Sequence, residues 1–455
     1  MRLNPEIQRN LWLEFSLHRL LAMPVVLALI FFIASKLDSA SKITQPFMMV
    51  ETAAGTLFFL LVKIWGGHKA AESVIEEVND NTWDFQKLSA LSPWDLTVGK
   101  LFGGPSYSWY GGAIAYAVAV IAGSFHWSSY ETFLFAASLL LDGLLVHATA
   151  LFTSLIAIQN RNGAHNKMRV LPYHLAGLGL SSIFTSSLLG YGGWINNLNH
   201  PNNDIKHLSL TWYGLDFEIM PFMVITSTIL LTWLVAGIYW QMRNQMRMRT
   251  GPLLWLGFVV FWLAYSAGFE PPASHQWDKA KGILTFLLSL GFLYTIAFQE
   301  GWTTVRYRRF LGAWQEKNYG KALEICPRWL LTFPICVALG LWSVVSNFGS
   351  PAALFVVALL CFASRDLALL HVFKFNPSNR RPEKTAFFYM AIAYVLLPFL
   401  FGVLHFYHGL ALFLPDVTHG DTDHLLDSTF SGALQALVVI YLAFQRWFRF
   451  GAKTE

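Results

Sequence analysis

The side chains with the most capacity for chemistry stand where charge is expensive. Asp142 and His147 lie inside one apolar run, and Asp366 and His371 lie near the end of another, with the same Asp-x4-His spacing. A carboxylate at mid-membrane costs roughly 2.5–3.5 kcal/mol on insertion scales, so it faces a cavity or a partner. The two pairs read either as the polar lining of a substrate path or as hydrogen-bonded struts between helices. A second gathering lies in "PDVTHGDTDHLLDS" at 415–428, where His419, Asp421, Asp423 and His424 stand close in sequence, with His405 and His408 upstream. These side chains suit zinc or another divalent ion. They equally suit a solvated outer loop whose acids cap the next helix. The three cysteines, Cys326, Cys336 and Cys361, form no CxxC pair and read as small buried hydrophobes.

The elements that must position these residues are membrane helices. Of 455 residues, 55% are hydrophobic and 13% charged, with a mean hydropathy of +0.45, whereas a soluble domain is about a quarter charged. Apolar runs near 20 residues recur along the whole length, long enough to cross the hydrocarbon core as helices. Period-two alternation is absent, which argues against an outer-membrane barrel. The expected fold is all-α and polytopic, with about twelve spans at 20–36, 47–64, 107–125, 132–157, 171–190, 221–241, 252–269, 283–299, 329–346, 351–371, 386–405 and 429–445. With both termini in the cytoplasm, 27 Lys and Arg fall on the inner side and 5 on the outer, the asymmetry expected of cytoplasmic loops. The net charge of +5 is thereby accounted for without nucleic acid. The first run follows a charged, partly amphipathic lead, "NPEIQRNLWLEFSLHRL", without a cleavage site, so no cleavable signal peptide is expected.

The spans divide into two six-helix halves, 1–245 and 246–455. Each has a cytoplasmic, aromatic loop after its second span, at 66–105 and 300–328. The first loop contains "NTWDFQKLSALSPWDL" and the second "RYRRFLGAWQEKNYGKALEICPRWLL". Each runs Trp, Lys, an apolar pair, then Pro, with Pro93 ten residues after Trp83 and Pro327 thirteen after Trp314. Paired bundles of this kind often place a substrate path between repeats. The repeat is organisational. Aligning the short loops "QNRN" and "FNPSN" leaves the two Asp-x4-His pairs out of register. In the first loop Pro93 fits the first turn of a helix, with Ser92 as N-cap and Asp95 at its positive end. Such an amphipathic segment either transmits a push from a soluble partner or anchors the loop at the interface.

The stretch "EEVNDNTWDFQKLSALSPWDLTVGKLF" resembles the cytoplasmic loop of ABC-2 type transporter permeases. The resemblance rests on Glu76, Glu77, Thr82, Trp83, Leu88, Leu91, Ser92, Pro93 and the terminal Gly99, Lys100 and Leu101. "NPEIQRNLWLEFSLHR" is similar to that family's interfacial N-terminal helix, and the second loop departs from the pattern in lacking the Gly-Lys-Leu ending. The resemblance implies a permease in a bacterial inner membrane, an exporter and not an enzyme, driven by a separate ABC ATPase in two copies. Glu76, Glu77, Thr82, Trp83, Leu88, Leu91, Pro93, Trp314 and Pro327 would couple to it. No GxxxxGK[ST] occurs in the chain, so ATP and Mg are expected on the ATPase and no cofactor on this chain. Two other classes stay open. One is a proton-coupled secondary transporter using Asp142, His147, Asp366 and His371. The other is a membrane-embedded metalloenzyme using the 405–427 cluster.

Overall fold

A backbone that enters lipid must satisfy its own N–H and C=O groups, which a chain with no period-two pattern can do only as helix. A computed structural model describes residues 4–40, 47–159, 167–199, 209–270, 275–301, 304–379, 381–415 and 422–451. Among these, regular structure is almost wholly helical, and nine helices are long and apolar enough to cross a membrane, with Leu253–Ala267 a shorter apolar helix. The protein is an all-α polytopic membrane protein. It divides into two compact units, Met1–Thr250 and Gly251–Glu455, with the boundary five residues from the division expected at 245/246.

The first unit begins with α1 (Pro5–Glu14) and α2 (Leu17–Ala40). Then α3 (Met48–Phe58) runs through a π-helical stretch, Phe59–Gly66, into α4 (Gly67–Asn79) as one continuous span. Two short helices follow, α5 (Trp83–Leu88) and α6 (Pro93–Val98), then α7 (Ser106–Gly123), α8 (Ser129–Gln159), α9 (Leu171–Asn199) and α10 (Ile219–Gln245). A hairpin of β1 (Ser209–Trp212) and β2 (Leu215–Glu218) precedes α10. Its two turn residues, Tyr213 and Gly214, both have positive φ, as a two-residue hairpin turn requires.

The second unit holds α11 (Leu253–Ala267), α12 (His275–Gln299), the short pair α13 (Thr304–Gln315) and α14 (Tyr319–Glu324), α15 (Arg328–Ser346) and α16 (Pro351–Lys374). A broken helix, Pro382–Val403, and α19 (Thr422–Arg446) complete it; the broken helix comprises α17 (Pro382–Ala391), a π-helical turn and α18 (Leu397–Val403).

The repeat is visible in packing. In the first unit α2 lies on α3 and α7, α3 lies on α7, and α8 is surrounded by α4, α7, α9 and α10. In the second, α11 lies on α12 and α15, α12 lies on α15, and α16 is surrounded by α12, α15, α17 and α19. Each unit is thus built around one helix, α8 or α16. Small residues allow this. A Cβ on Gly143 of α8 would come within 2.8 Å of Val62 Cγ1, and one on Gly340 of α15 within 2.7 Å of Leu360 Cδ1.

Two sequence expectations are corrected. The second span was expected to stop at 64 and its loop to begin at 66. The helix instead continues to Asn79, because Ala70, Ala71, Val74 and Ile75 give it a buried stripe against α8 and the residues around them suit helix. Lys63 and Arg365, expected among the cytoplasmic loop cations, lie within spans, where each pairs with an aspartate.

Candidate functional site

In the first unit the π-helical stretch shifts the backbone register where Lys63 must turn toward α8. π-Bulges of this kind recur at functional sites. Lys63 Nζ lies 2.6 Å from Asp142 Oδ2, and Ser181 of α9 donates to Asp142 Oδ1 at 3.1 Å. The ammonium also sits 5.1 Å from the centroid of the Phe59 ring. One turn along α8, His147 Nε2 donates to the Val62 carbonyl at 2.7 Å, and its ring packs edge-on to Trp109. Because a carbonyl only accepts, the neutral imidazole carries its proton on Nε2. Among the described residues the buried Nδ1 has no hydrogen-bond partner.

The close approach depends on Gly66. A Cβ there would lie 2.5 Å from both His147 Nε2 and Ser108 Oγ, which donates to the Pro105 carbonyl. Gly66→Ala is therefore expected to displace His147 and cost about 1–3 kcal/mol by overpacking. Thermal unfolding of the purified variant checks this, and a midpoint equal to wild type would show that α4 and α8 have slack at this contact.

The corresponding place in the second unit is richer. Asp366 Oδ2 accepts from Tyr294 of α12 at 2.7 Å and from Tyr394 at 2.5 Å. Its Oδ1 accepts from Arg365 Nε at 2.9 Å and pairs with the same guanidinium at 2.8 Å through Nη2. Arg365 reaches on to Gln435 Oε1 of α19 at 2.8 Å and stacks over Phe362 and Tyr394. His371 Nδ1 donates to the Leu367 carbonyl at 2.6 Å, which leaves Nε2 to accept from the Tyr307 hydroxyl at 2.6 Å. Tyr307 in turn accepts from Trp329 Nε1 at 2.8 Å. Burial holds the Tyr307 phenol well above its ordinary pKa, so it stays a donor. At the end of α16, Lys374 Nζ caps α12 by donating to the carbonyls of Ala297 and Glu300.

Both Asp-x4-His pairs thus lie on the central helix of their unit. Each aspartate is met from the long helix two before the central one, through Lys63 or Tyr294, and from the helix that follows it, through Ser181 or Tyr394. Loop alignment hid this correspondence because loop length varies freely while packed helices fix depth. The two centres differ in access. The Asp142 side chain is 25% exposed and that of Asp366 1%. The cavity beside Asp366, lined by Leu293, Tyr294, Ala297, Phe298 and Ala363, is no larger than one water. Sequence reading missed Lys63, Ser181, Tyr294, Arg365, Tyr394 and Gln435. The two cations were detectable as charges interrupting apolar runs.

The third cluster lies at the ends of the first unit's helices. Lys100 Nζ is enclosed between Glu6 Oε1 of α1 at 2.8 Å and Glu77 Oε1 of α4 at 2.6 Å. Arg9 Nη2 lies 2.8 Å from the same two carboxylate oxygens, and Gln86 of α5 donates to Glu77. The first helix reaches this depth because Gly99 and Gly103 have no side chains. A Cβ on Gly99 would fall 2.5 Å from Glu6 Cβ. Asn4 caps α1 and donates to the Asp95 carbonyl, and Ser92 and Asp95 form a capping box around Pro93.

This frame reassigns the loop residues. Trp83, expected to face a partner, is 4% exposed and packs with Leu96, Leu101, Leu151 and Met242. Leu91 is half-buried on the same core, and Pro93 starts α6. Thr82 donates to the Glu77 carbonyl, and Glu76 is exposed. Leu88 is 85% exposed, and so is Phe85 at 76%, a residue the sequence reading did not place at the interface. Their i, i+3 spacing on α5, opposite Trp83 and Lys87, was the available signal. In the second loop Trp314 is exposed, while Pro327 is buried as the N-cap of α15. Burial raises the neighbouring Cys326 thiol to a pKa of about 11, which leaves it unreactive.

His419 and Asp421 lie outside the described residues. Asp423 is exposed and His424 half-buried, and among the described residues no group of three or more His, Cys, Asp or Glu is placed to hold a metal ion. The fold and its polar centres define a class, an all-α membrane protein of two similarly packed units, each with a carboxylate at its central helix. In comparisons with family models, curated proteins and solved structures, nothing matches the chain.

Proposed function

We propose that this chain is the membrane permease of an ATP-driven exporter, coupled to a separate ATPase that carries ATP and Mg. The carrying observation is the first cytoplasmic loop. It presents Phe85 and Leu88 at an exposed tip, on a base tied by Lys100 to α1 and α4 and by Trp83 to α8 and α10. Force applied to α5 therefore reaches four helices through buried contacts rather than through slack chain. Adding α7, α9 and α11 to the nine helices long and apolar enough to cross a membrane makes twelve spans. All three occupy positions in the packing order that a long helix fills in the other unit. Both termini and both α5–α6 and α13–α14 loops are then cytoplasmic, in agreement with the basic asymmetry. The partly open Asp142 and Lys63 line the substrate path in the first unit, and the enclosed Asp366 centre braces the second.

The same partly open carboxylate favours one other reading, a proton-coupled secondary transporter. Transport driven by a proton gradient without ATP would select it.

Coupling is tested at the loop tip. Phe85→Ser/Leu88→Ser removes two exposed apolar side chains and should leave thermal stability unchanged. Buried aromatic and aliphatic anchors at interfaces often cost 2 kcal/mol or more on truncation, so ATPase retained on co-purification from the native membrane is expected to fall at least tenfold. Full retention with normal stability removes the proposal. Trp83→Ala, by contrast, should act on stability first, at about 3–5 kcal/mol for a buried tryptophan.

A further inference from the structure

The second loop is built differently from the first, and the difference points to another partner. On α13, Tyr307, Phe310, Leu311 and Trp314 follow i, i+3, i+4, i+7 spacing and form one apolar face. Its first half is covered by protein, since Tyr307 and Phe310 pack with Phe375, Trp329 and Trp447. Its second half is not covered. Leu311 and Trp314 are exposed, and the face continues through Tyr319, whose ring meets Trp314 at 5.6 Å, to exposed Leu323 on α14. Exposed Arg309, Lys317 and Lys321 stand on the same two helices and the turn between them, together with exposed Glu316 and Glu324, and Arg308 Nη2 donates to the Phe450 carbonyl, bringing exposed Phe448 and Arg449 of the C-terminal π-helical turn alongside.

An apolar strip that leaves the protein core on a loop of net positive charge has the chemistry of a helix lying in a headgroup layer, apolar side chains in the acyl boundary and ammonium or guanidinium groups on phosphates. The first loop has the opposite balance: residues 76–100 carry two Lys against five Asp and Glu, with Asp84 at the exposed tip paired to Lys87 at 2.6 Å, whereas residues 304–324 carry five Lys and Arg against two Glu. We propose that the α13–α14 loop and the adjoining C-terminal turn form a foot that binds anionic phospholipid headgroups of the cytoplasmic leaflet. This rests on the loop being cytoplasmic, as in the permease reading. It makes the two loops unequal, with one docking ATPase and the other gripping lipid.

The full chain, labelled at Leu323→Cys with a polarity-sensitive dye, is placed in nanodiscs of phosphatidylcholine alone or with increasing phosphatidylglycerol. The unsubstituted chain, labelled in parallel, gives the background from the native cysteines. Emission is expected to shift to the blue as phosphatidylglycerol is added. Each basic residue near such a surface contributes about fivefold in affinity. Arg309→Gln/Lys317→Gln/Lys321→Gln, with headgroup affinity lowered about 100-fold, should therefore lose the shift at every phosphatidylglycerol content, and high salt should weaken the wild type. Identical emission in both lipids, an unaffected triple variant, or a shift that appears only when purified ATPase is added would each overturn the proposal. Nanodiscs open both faces, so these outcomes do not depend on orientation. Impermeant labelling of Leu323→Cys in sealed vesicles tests the orientation separately, and the Phe85/Leu88 co-purification tests the permease reading.

Discussion

Lys100→Met is expected to lower the stability of the protein by about 3–5 kcal/mol, the cost of breaking a buried ion pair by removing one partner. The size follows from enclosure. Lys100 is among the largest fully buried side chains, and both of its carboxylate partners lie on other helices. Methionine fills much of the volume but leaves Glu6 and Glu77 facing each other with only Arg9 between them. Their repulsion should release α1 from α6 and open the interface that Gly99 makes possible. The measurement is thermal unfolding in detergent, with limited proteolysis near residue 14 as a local readout. Glu6→Gln/Glu77→Gln added to Lys100→Met should recover much of the loss, because the buried charges are then gone together. A single variant within 1 kcal/mol of wild type would mean that Arg9 and solvent carry the cluster.

The second large effect is expected at the first unit's intramembrane pair. Asp142→Asn leaves the Lys63 ammonium unpaired at bilayer depth, where its cost is roughly 2.5–3.5 kcal/mol on insertion scales. Stability should fall by about that amount, and Lys63→Met/Asp142→Asn should restore it. The double variant then separates the two readings of the pair. If the charges line the substrate path, the stable double variant transports poorly. If they only brace α4 against α8 and α9, it transports like wild type. Asp366→Asn offers a contrast. Two tyrosine hydroxyls and an arginine converge on that carboxylate, so its loss should appear as misfolding.

The class of the fold was legible because lipid imposes it. Long apolar runs and the distribution of Lys and Arg are one-dimensional signals, set by bilayer thickness and by the side on which a loop lies. The start of α6 was legible for the same kind of reason, since Ser92, Pro93 and Asp95 act within one turn. Partner choice was not local. Trp83 and Phe85 are both aromatic and two residues apart on α5, yet one is buried against α8 and α10 and the other exposed. Only the position of the neighbouring helices separates them. Likewise "FFLLVKIWGG" shows a lysine at the edge of an apolar run, but nothing in it says that the helix continues, or that Asp142, 79 residues on, neutralises the charge.

The sequence by itself determined that this is a helical membrane protein, because hydrophobicity and the length of apolar runs act residue by residue. The tertiary structure decided which charges meet. It placed Asp142 and Asp366 at corresponding points of two central helices, locked Lys100 between α1 and α4, and left Phe85, Leu88 and Trp314 at the surface. The reason is that a buried charge is tolerated only where several helices bring partners to it at once, and that convergence is a property of packing.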